Sequence, residues 1–249
     1  MNTIHPTGAA VMNRQLKLEN RTCLLLLLPL LLAATTAPAP PATRPANLFT
    51  MPPAQFAKLP DLHSRITDDS VDLPLLDAAI FHRTNQERLA HNLPPFKFSD
   101  KLHDVAEGHS REMATLHYFD HVSPTPENAT MDQRFKNNGL QPRLEGENIA
   151  VLPAREMGSG EYIVTGNPPN EIYTDKQTHK VLNYYTYAEL ADAFVTQWMN
   201  SPPHRAAILN PKFLYLAPAA ARGDYQDQDS FYATQNFASD LTPDPASRQ

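Results

Sequence analysis

Ten histidines and one cysteine set the limits of the chemistry open to this 249-residue chain. The single thiol, Cys23, adjoins a leucine run, so no disulfide can form within one chain. Thiolate catalysis and cysteine-based zinc sites are likewise excluded from any folded region beyond it. A zinc protease would need His-Glu-x-x-His, and the sequence around His109-Ser110-Arg111-Glu112-Met113 does not supply it. Ser123 and Ser201 lie near histidines in the sequence. Neither sits in a Gly-x-Ser-x-Gly elbow, and no oxyanion hole is recognisable, which sets aside a serine hydrolase. What remains is imidazole and carboxylate chemistry. His109 falls on the apolar face of a helical pattern and reads as a core histidine. His103 and Glu107 form an i,i+4 pair on another face, expected to be solvated. His121 and His204 are 83 positions apart, and nothing in that separation brings them together. Taken singly, each reads as a surface or hydrogen-bonded structural residue.

Such residues need elements to place them. Residues 24–34 read LLLLLPLLLAA after Arg14, Lys17 and Arg21, the layout of a secretory signal. The run is short of the roughly 20 apolar residues of a membrane span. Initiation at Met12 would give a signal of more ordinary length. The prolines of ATTAPAPPA would hinder cleavage, which leaves retention as an N-terminal anchor open. Residues 1–37 are therefore expected to be a signal peptide or anchor, and 38–72 a stiff proline-rich linker, since 38–60 hold seven prolines and no glycine. The folded domain is expected over 73–239, with a disordered tail at 240–249.

Within that domain, helices are expected from Leu73 to about Asn92, from Asp100 to about His117 behind a Ser99 cap, over 130–138, and over 187–200. In the last of these Leu190, Phe194 and Trp198 recur four apart. SPPHRAAILNP reads as a short helical turn between prolines. Strands are expected at 146–152, from Phe213 to Arg222 and from Ser230 to Ala238. Pro218 marks the second as an edge strand or a bulge. Residues 153–186 show no sustained period, and so long an irregular stretch inside a domain is uncommon. The fold class is α+β, helices layered on a few antiparallel strands, with no internal repeat. A net charge of −6, from 21 basic and 27 acidic residues, disfavours a nucleic-acid partner.

Four segments, in this order and spacing, resemble bacterial members of the CAP superfamily (cysteine-rich secretory, antigen 5, pathogenesis-related 1; the SCP domain). They are residues 84–114 (TNQERLAHNLPPFKFSDKLHDVAEGHSREMA), YFDHVSP at 118–124, GENIA at 146–150 and WMNSPPHRAAILNPKF at 198–213. YATQNFAS follows near the end. The resemblance implies a three-layer α-β-α sandwich with a central antiparallel sheet, and a surface groove built on two histidines and acidic residues. By motif these are His121, Glu147 and His204. The second family glutamate is missing, because the helix before His204 ends Trp198-Met199-Asn200-Ser201. Pro203 stands where a glycine before the histidine is common, and 153–186 is an insertion relative to compact members.

Two imidazoles and a carboxylate are a workable ligand set for a divalent metal such as zinc, with His121 and His204 as the metal ligands. The same residues could act as general acid and base without metal. The resemblance implies an exported protein, secreted or periplasmic, that binds a lipid, a cell-envelope component or another protein. Membrane contact would come only through an uncleaved N-terminus. A metal-assisted hydrolase using the same groove and a structural or adhesive role are the alternatives.

Overall fold

The computed structural model describes residues 48–67, 71–158, 160–167 and 171–241. The expected leader, the start of the linker and residues 242–249 of the expected tail lie outside the described residues. Six α-helices and five strands are present among those described. They are α1 (Pro53–Phe56), α2 (Leu73–Ala90), α3 (Asp100–Leu116), α4 (Met131–Asn137), β1 (Glu145–Pro153), β2 (Tyr162–Thr165), β3 (Ile172–Asp175), α5 (Tyr187–Asn200), α6 (Pro202–Ile208), β4 (Tyr215–Tyr225) and β5 (Gln228–Ala238).

The helices start where local chemistry satisfies their first N–H groups. Asp72 accepts from Leu75 N at 2.9 Å ahead of α2. Thr130 with Gln133 and Thr186 with Glu189 form capping boxes on α4 and α5. Pro202 opens α6 immediately after Ser201 ends α5, and a proline in a first turn loses no helical hydrogen bond.

The central sheet is antiparallel, in the order β1-β5-β4. Strand alternation sends successive residues to opposite faces. One face carries Ala150, Leu152, Leu216, Ala220, Phe231, Ala233 and Phe237 against α2 and α5. The other carries Ala217 and Ala238 against Leu102, Val105 and Phe135 of α3 and α4. It also carries Ile149, Ala221 and Tyr232 against Met113 and Ala114. This is the α-β-α sandwich. Pro218 lies on β4, an edge strand as its ring requires. Leu216 N donates outward to Lys97 O and Ala220 N outward to Asp77 Oδ1. Pro218, midway between them on the same outward edge, has no N–H to leave unpaired there.

The packed unit begins before Leu73. Leu48, Phe56, Leu62 and Ile66 are buried in the main core, although composition places them in the linker. Proline stiffens this segment, but its apolar residues give it something to bury. It covers the outer side of α2, where His82 Nε2 donates to Leu48 O at 2.8 Å and its ring stacks on Phe56 at 4.1 Å. That cover explains why α2 lacks a clean amphipathic pattern: it is buried on most of its sides. His103 also departs from expectation. While staying within reach of Glu107, it also bonds the buried Asp77, Nε2 to Oδ2 at 2.9 Å, beside the stacked rings of Phe49 and Phe98. The irregular stretch 153–186 contains the short β2–β3 hairpin. Strands β4 and β5 run on through the polar GDYQDQD turn and close on two residues, Gln226 and Asp227, both at positive φ.

Phe56→Ala is expected to cost about 3 kcal/mol in urea unfolding, the lower end for an aromatic deletion from a core. A loss within about 0.5 kcal/mol, the level of surface substitutions, would mean that the 48–66 segment is not part of the cooperative unit.

Candidate functional site

β1 is the edge strand on the other side of the sheet, and its alternation divides the GENIA motif between two layers. Glu147 faces α3 and α4, and Asn148 faces α6. Gly146 precedes them because a Cβ there would lie 2.9 Å from Cζ of Phe213. The outer edge of β1 is covered by α5 and α6, and Trp198 Nε1 donates to Ile149 O at 3.1 Å.

Glu147 is 3% exposed in its side chain, and both oxygens are engaged. Arg134 Nη2 donates to Oε1 at 2.9 Å and to Oε2 at 2.8 Å. His121 Nδ1 lies 2.9 Å from Oε1. The Asn236 amide, oriented so that both its ends are satisfied, donates to Oε2 at 3.2 Å and accepts from Ala106 N at 3.1 Å. Burial alone would raise the Glu147 carboxyl. The hydrogen bond from His121 and the charge of Arg134 outweigh it and hold the group below the ordinary carboxylate range.

Arg134, itself 4% exposed, also fixes the loop that carries His121. Its Nη1 and Nη2 donate to His121 O at 3.2 Å, and Nη1 donates to Asn128 O at 3.0 Å. Because a carboxylate only accepts, the His121 proton sits on Nδ1 and Nε2 is turned to the half-exposed side. The contact with Glu147 raises His121 above the ordinary imidazole value despite partial burial.

His204 stands on α6, on the opposite side of the β1 edge. Asn148 Nδ2 donates to His204 O at 3.2 Å and to Gln235 Oε1 at 3.1 Å. His204 Nδ1 is buried with no hydrogen-bond partner among the described residues. Burial, reinforced by the charge of His121, lowers its pKa. The fold thus puts His121 and Glu147 in direct contact and brings His204 within electrostatic reach of His121. It does not put ligand atoms of all three within 4.8 Å of one another; among the described residues only His103, Asp104 and Glu107 meet that condition. With both Glu147 oxygens engaged, the imidazoles of His121 and His204 are the groups left to offer a metal. The end of α5 supplies no second acid, since exposed Asn200 and half-buried Ser201 stand there.

Two residues of this site carry no flag in the sequence. Arg134 is one, on the inner face of a seven-residue helix next to Phe135, where an arginine is usually solvated. His109 is the other. It is fully buried in α3, as its apolar-face position indicates, and Nε2 donates to Asp120 O at 3.1 Å, bracing the His121 loop. Its Nδ1 has no partner among the described residues, and burial pushes its pKa down to about 4.

A profile of the cysteine-rich secretory protein (CAP) family matches residues 81–237, more than half of the chain. The chain belongs to the CAP family. Two curated relatives come from Bacillus subtilis. The uncharacterized protein YkwD is 29% identical over 133 residues, which are 53% of this chain and 37% of that protein. The uncharacterized membrane protein YlbC is 27% identical over 158 residues, 64% of this chain and 33% of that protein. The matches thus span about a third of the length of either relative. Among solved structures, an extracellular SCP-domain protein from Bacillus anthracis is 28% identical, with a TM-score of 0.44, covering 70% of this chain and 44% of that one. Among the described residues, no helix of this CAP domain is long and apolar enough to cross a membrane.

Burying neutral His109 makes folding sensitive to acid. Its folded pKa lies below its unfolded value of about 6.5, so its contribution is fully present above pH 6.5 and is lost as pH falls towards 4. At about 1.4 kcal/mol per unit the loss approaches roughly 3 kcal/mol. Urea unfolding at pH 7 and pH 4 should show a smaller acid penalty for His109→Gln than for the unsubstituted protein. Equal penalties would contradict the assignment.

Proposed function

We propose that this CAP domain is an extracytoplasmic binding module that captures a component of the cell envelope, with the His121–His204 groove as its contact. The observation that carries this reading is the saturation of Glu147. A carboxylate that accepts from Arg134, His121 and Asn236 is not free to bind metal or to take a proton from water. What the groove presents instead is the outward edge of an imidazole held in one orientation, beside a neutral histidine. An imidazole with a raised pKa donates from Nε2 when protonated and accepts there when neutral, which suits a polar or anionic group on a lipid, a wall polymer or a protein. Val122, next to His121 in the chain and 58% exposed, adds apolar surface. The N-terminal sequence fits an exported location through its basic-then-apolar pattern.

A second reading has one observation in its favour. A buried carboxylate holding imidazole Nδ1–H also orients a general base, as in hydrolytic triads. Metal-assisted hydrolysis, by contrast, lacks a free carboxylate ligand here.

The test is cosedimentation of the purified chain with isolated wall polymer and, separately, with vesicles of envelope lipids. Retention by at least one fraction is expected, with loss in His121→Ala/His204→Ala that still melts cooperatively. Undiminished retention by the double variant would remove the groove from binding. Stoichiometric zinc in protein purified without added metal, together with a zinc-dependent rise in melting temperature, would favour the metal alternative instead.

A further inference from the structure

Residues 151–158, parts of the β2–β3 region and the β4–β5 turn line a half-open cavity of about 350 Å³ that contains none of His121, Glu147 and His204. That is the low end of the range for small-molecule sites. Met157 and Leu182 supply apolar wall, and Tyr162, Tyr173 and Tyr184 supply rings. The cavity is held open by specific contacts. Ala154 N donates to Asp229 O at 2.8 Å, Met157 N to Tyr185 Oη at 3.2 Å and Gln228 Nε2 to Tyr162 Oη at 3.3 Å.

Its distinctive group is Arg155. The guanidinium carbon lies 3.7 Å from the centroid of the Tyr184 ring and 4.4 Å from that of Tyr173. Rings stacked on a guanidinium cover its flat faces and leave its N–H edge as the donor surface. The one hydrogen bond from that edge, to Leu182 O, is long at 3.5 Å. Among the described residues no carboxylate pairs with it. The neighbouring acids are committed elsewhere: Glu156 to Lys180 at 2.8 Å, and Asp229 to Arg222 through contacts of 2.7 and 2.5 Å. Arg155 is therefore an oriented cation that no carboxylate contacts among the described residues, although the exposed Asp227 also lines the cavity.

The rim adds a second feature. Gln226 and Asp227 close the β4–β5 hairpin at φ of 51° and 62°, where a two-residue turn usually has Asn-Gly. Non-glycine residues held in this region are strained, and such strain concentrates at ligand-binding sites. Both residues line the cavity.

From these contacts we infer that the cavity binds a small, singly charged carboxylate carried on a ring, with the carboxylate on the edge of Arg155 and the ring among the tyrosines. A planar carboxylate matches the guanidinium edge in a two-point contact. A phosphate dianion is disfavoured because Glu156, Asp227 and Asp229 also line the cavity. The ring can be aromatic or that of a sugar acid, and both offer a flat face to tyrosine.

The experiment is a ¹H–¹⁵N NMR titration of the full chain with four probes: phenylacetate, glucuronate, phenylacetamide and phenyl phosphate. Saturable shifts confined to 151–158, 182–184 and 225–230 are expected for at least one carboxylate. Whichever of the two binds more tightly identifies the ring class. The amide and the phosphate should bind at least about tenfold more weakly, the size of a lost charge-assisted hydrogen bond. Arg155→Lys keeps the charge but not the fork and should weaken the carboxylate by a similar factor. Asp227→Asn, an exposed change at a turn position that tolerates asparagine, should tighten it by about twofold at low salt. The inference is overturned if neither carboxylate gives saturable shifts, if the amide binds as well as the acid, or if Asp227→Asn has no effect while Arg155→Lys binds unchanged.

Discussion

Glu147 is an anion taken almost wholly out of water, and a buried carboxylate is tolerable only where cations and donors surround it. Arg134 meets that condition and is met by it, since the guanidinium is equally buried. Removing either partner would strand the other charge, which typically costs 3–5 kcal/mol. The rest of the site depends on this pair. Through the same guanidinium the loop carrying His121 is held by its own carbonyl and by that of Asn128. His109 holds the loop again from α3, through Asp120 O. The imidazole of His121 is therefore fixed by its ring nitrogen, its backbone and its neighbours before any ligand arrives.

The sheet makes this arrangement possible. On an edge strand, consecutive residues look into different layers, so Glu147 organises the α3–α4 side while Asn148 reaches His204 O on the α6 side. The two histidines come from opposite layers and share an electrostatic environment only because β1 ends the sheet between them. A groove built this way presents two imidazoles and keeps its carboxylate inside.

Much of the fold was legible because the signals were local. Ser99, Thr130 and Thr186 cap the helices they precede, the Leu190–Phe194–Trp198 stripe is buried throughout, and Pro218 lies on an edge strand. The contact of His121 with Glu147 followed from motif resemblance, not from spacing. What escaped the sequence was long-range. Leu48–Ile66 was hidden by its prolines, although Phe56, Leu62 and Ile66 were apolar residues with a core to reach. Arg134 read as surface because only the fold supplies its buried carboxylate. His103 was assigned to Glu107 along its own helix and stays within its reach, but its bond to Asp77 on α2 is one that only the fold supplies. The turn at Gln226-Asp227 lacked the glycine that marks such hairpins, and β2 and β3 are too short to show a period.

The central claim is that Glu147 acts by orienting and charging His121 rather than as a free ligand. Titration of the His121 ring by NMR, in the unsubstituted protein and in Glu147→Gln, tests it most directly. Glutamine keeps the shape and a carbonyl for Arg134 but removes the charge. The account predicts an imidazole pKa above the ordinary value of about 6.5, with the proton on Nδ1 in the neutral form, and a fall in that pKa in the variant. An unshifted His121 that titrates identically in both proteins would contradict it.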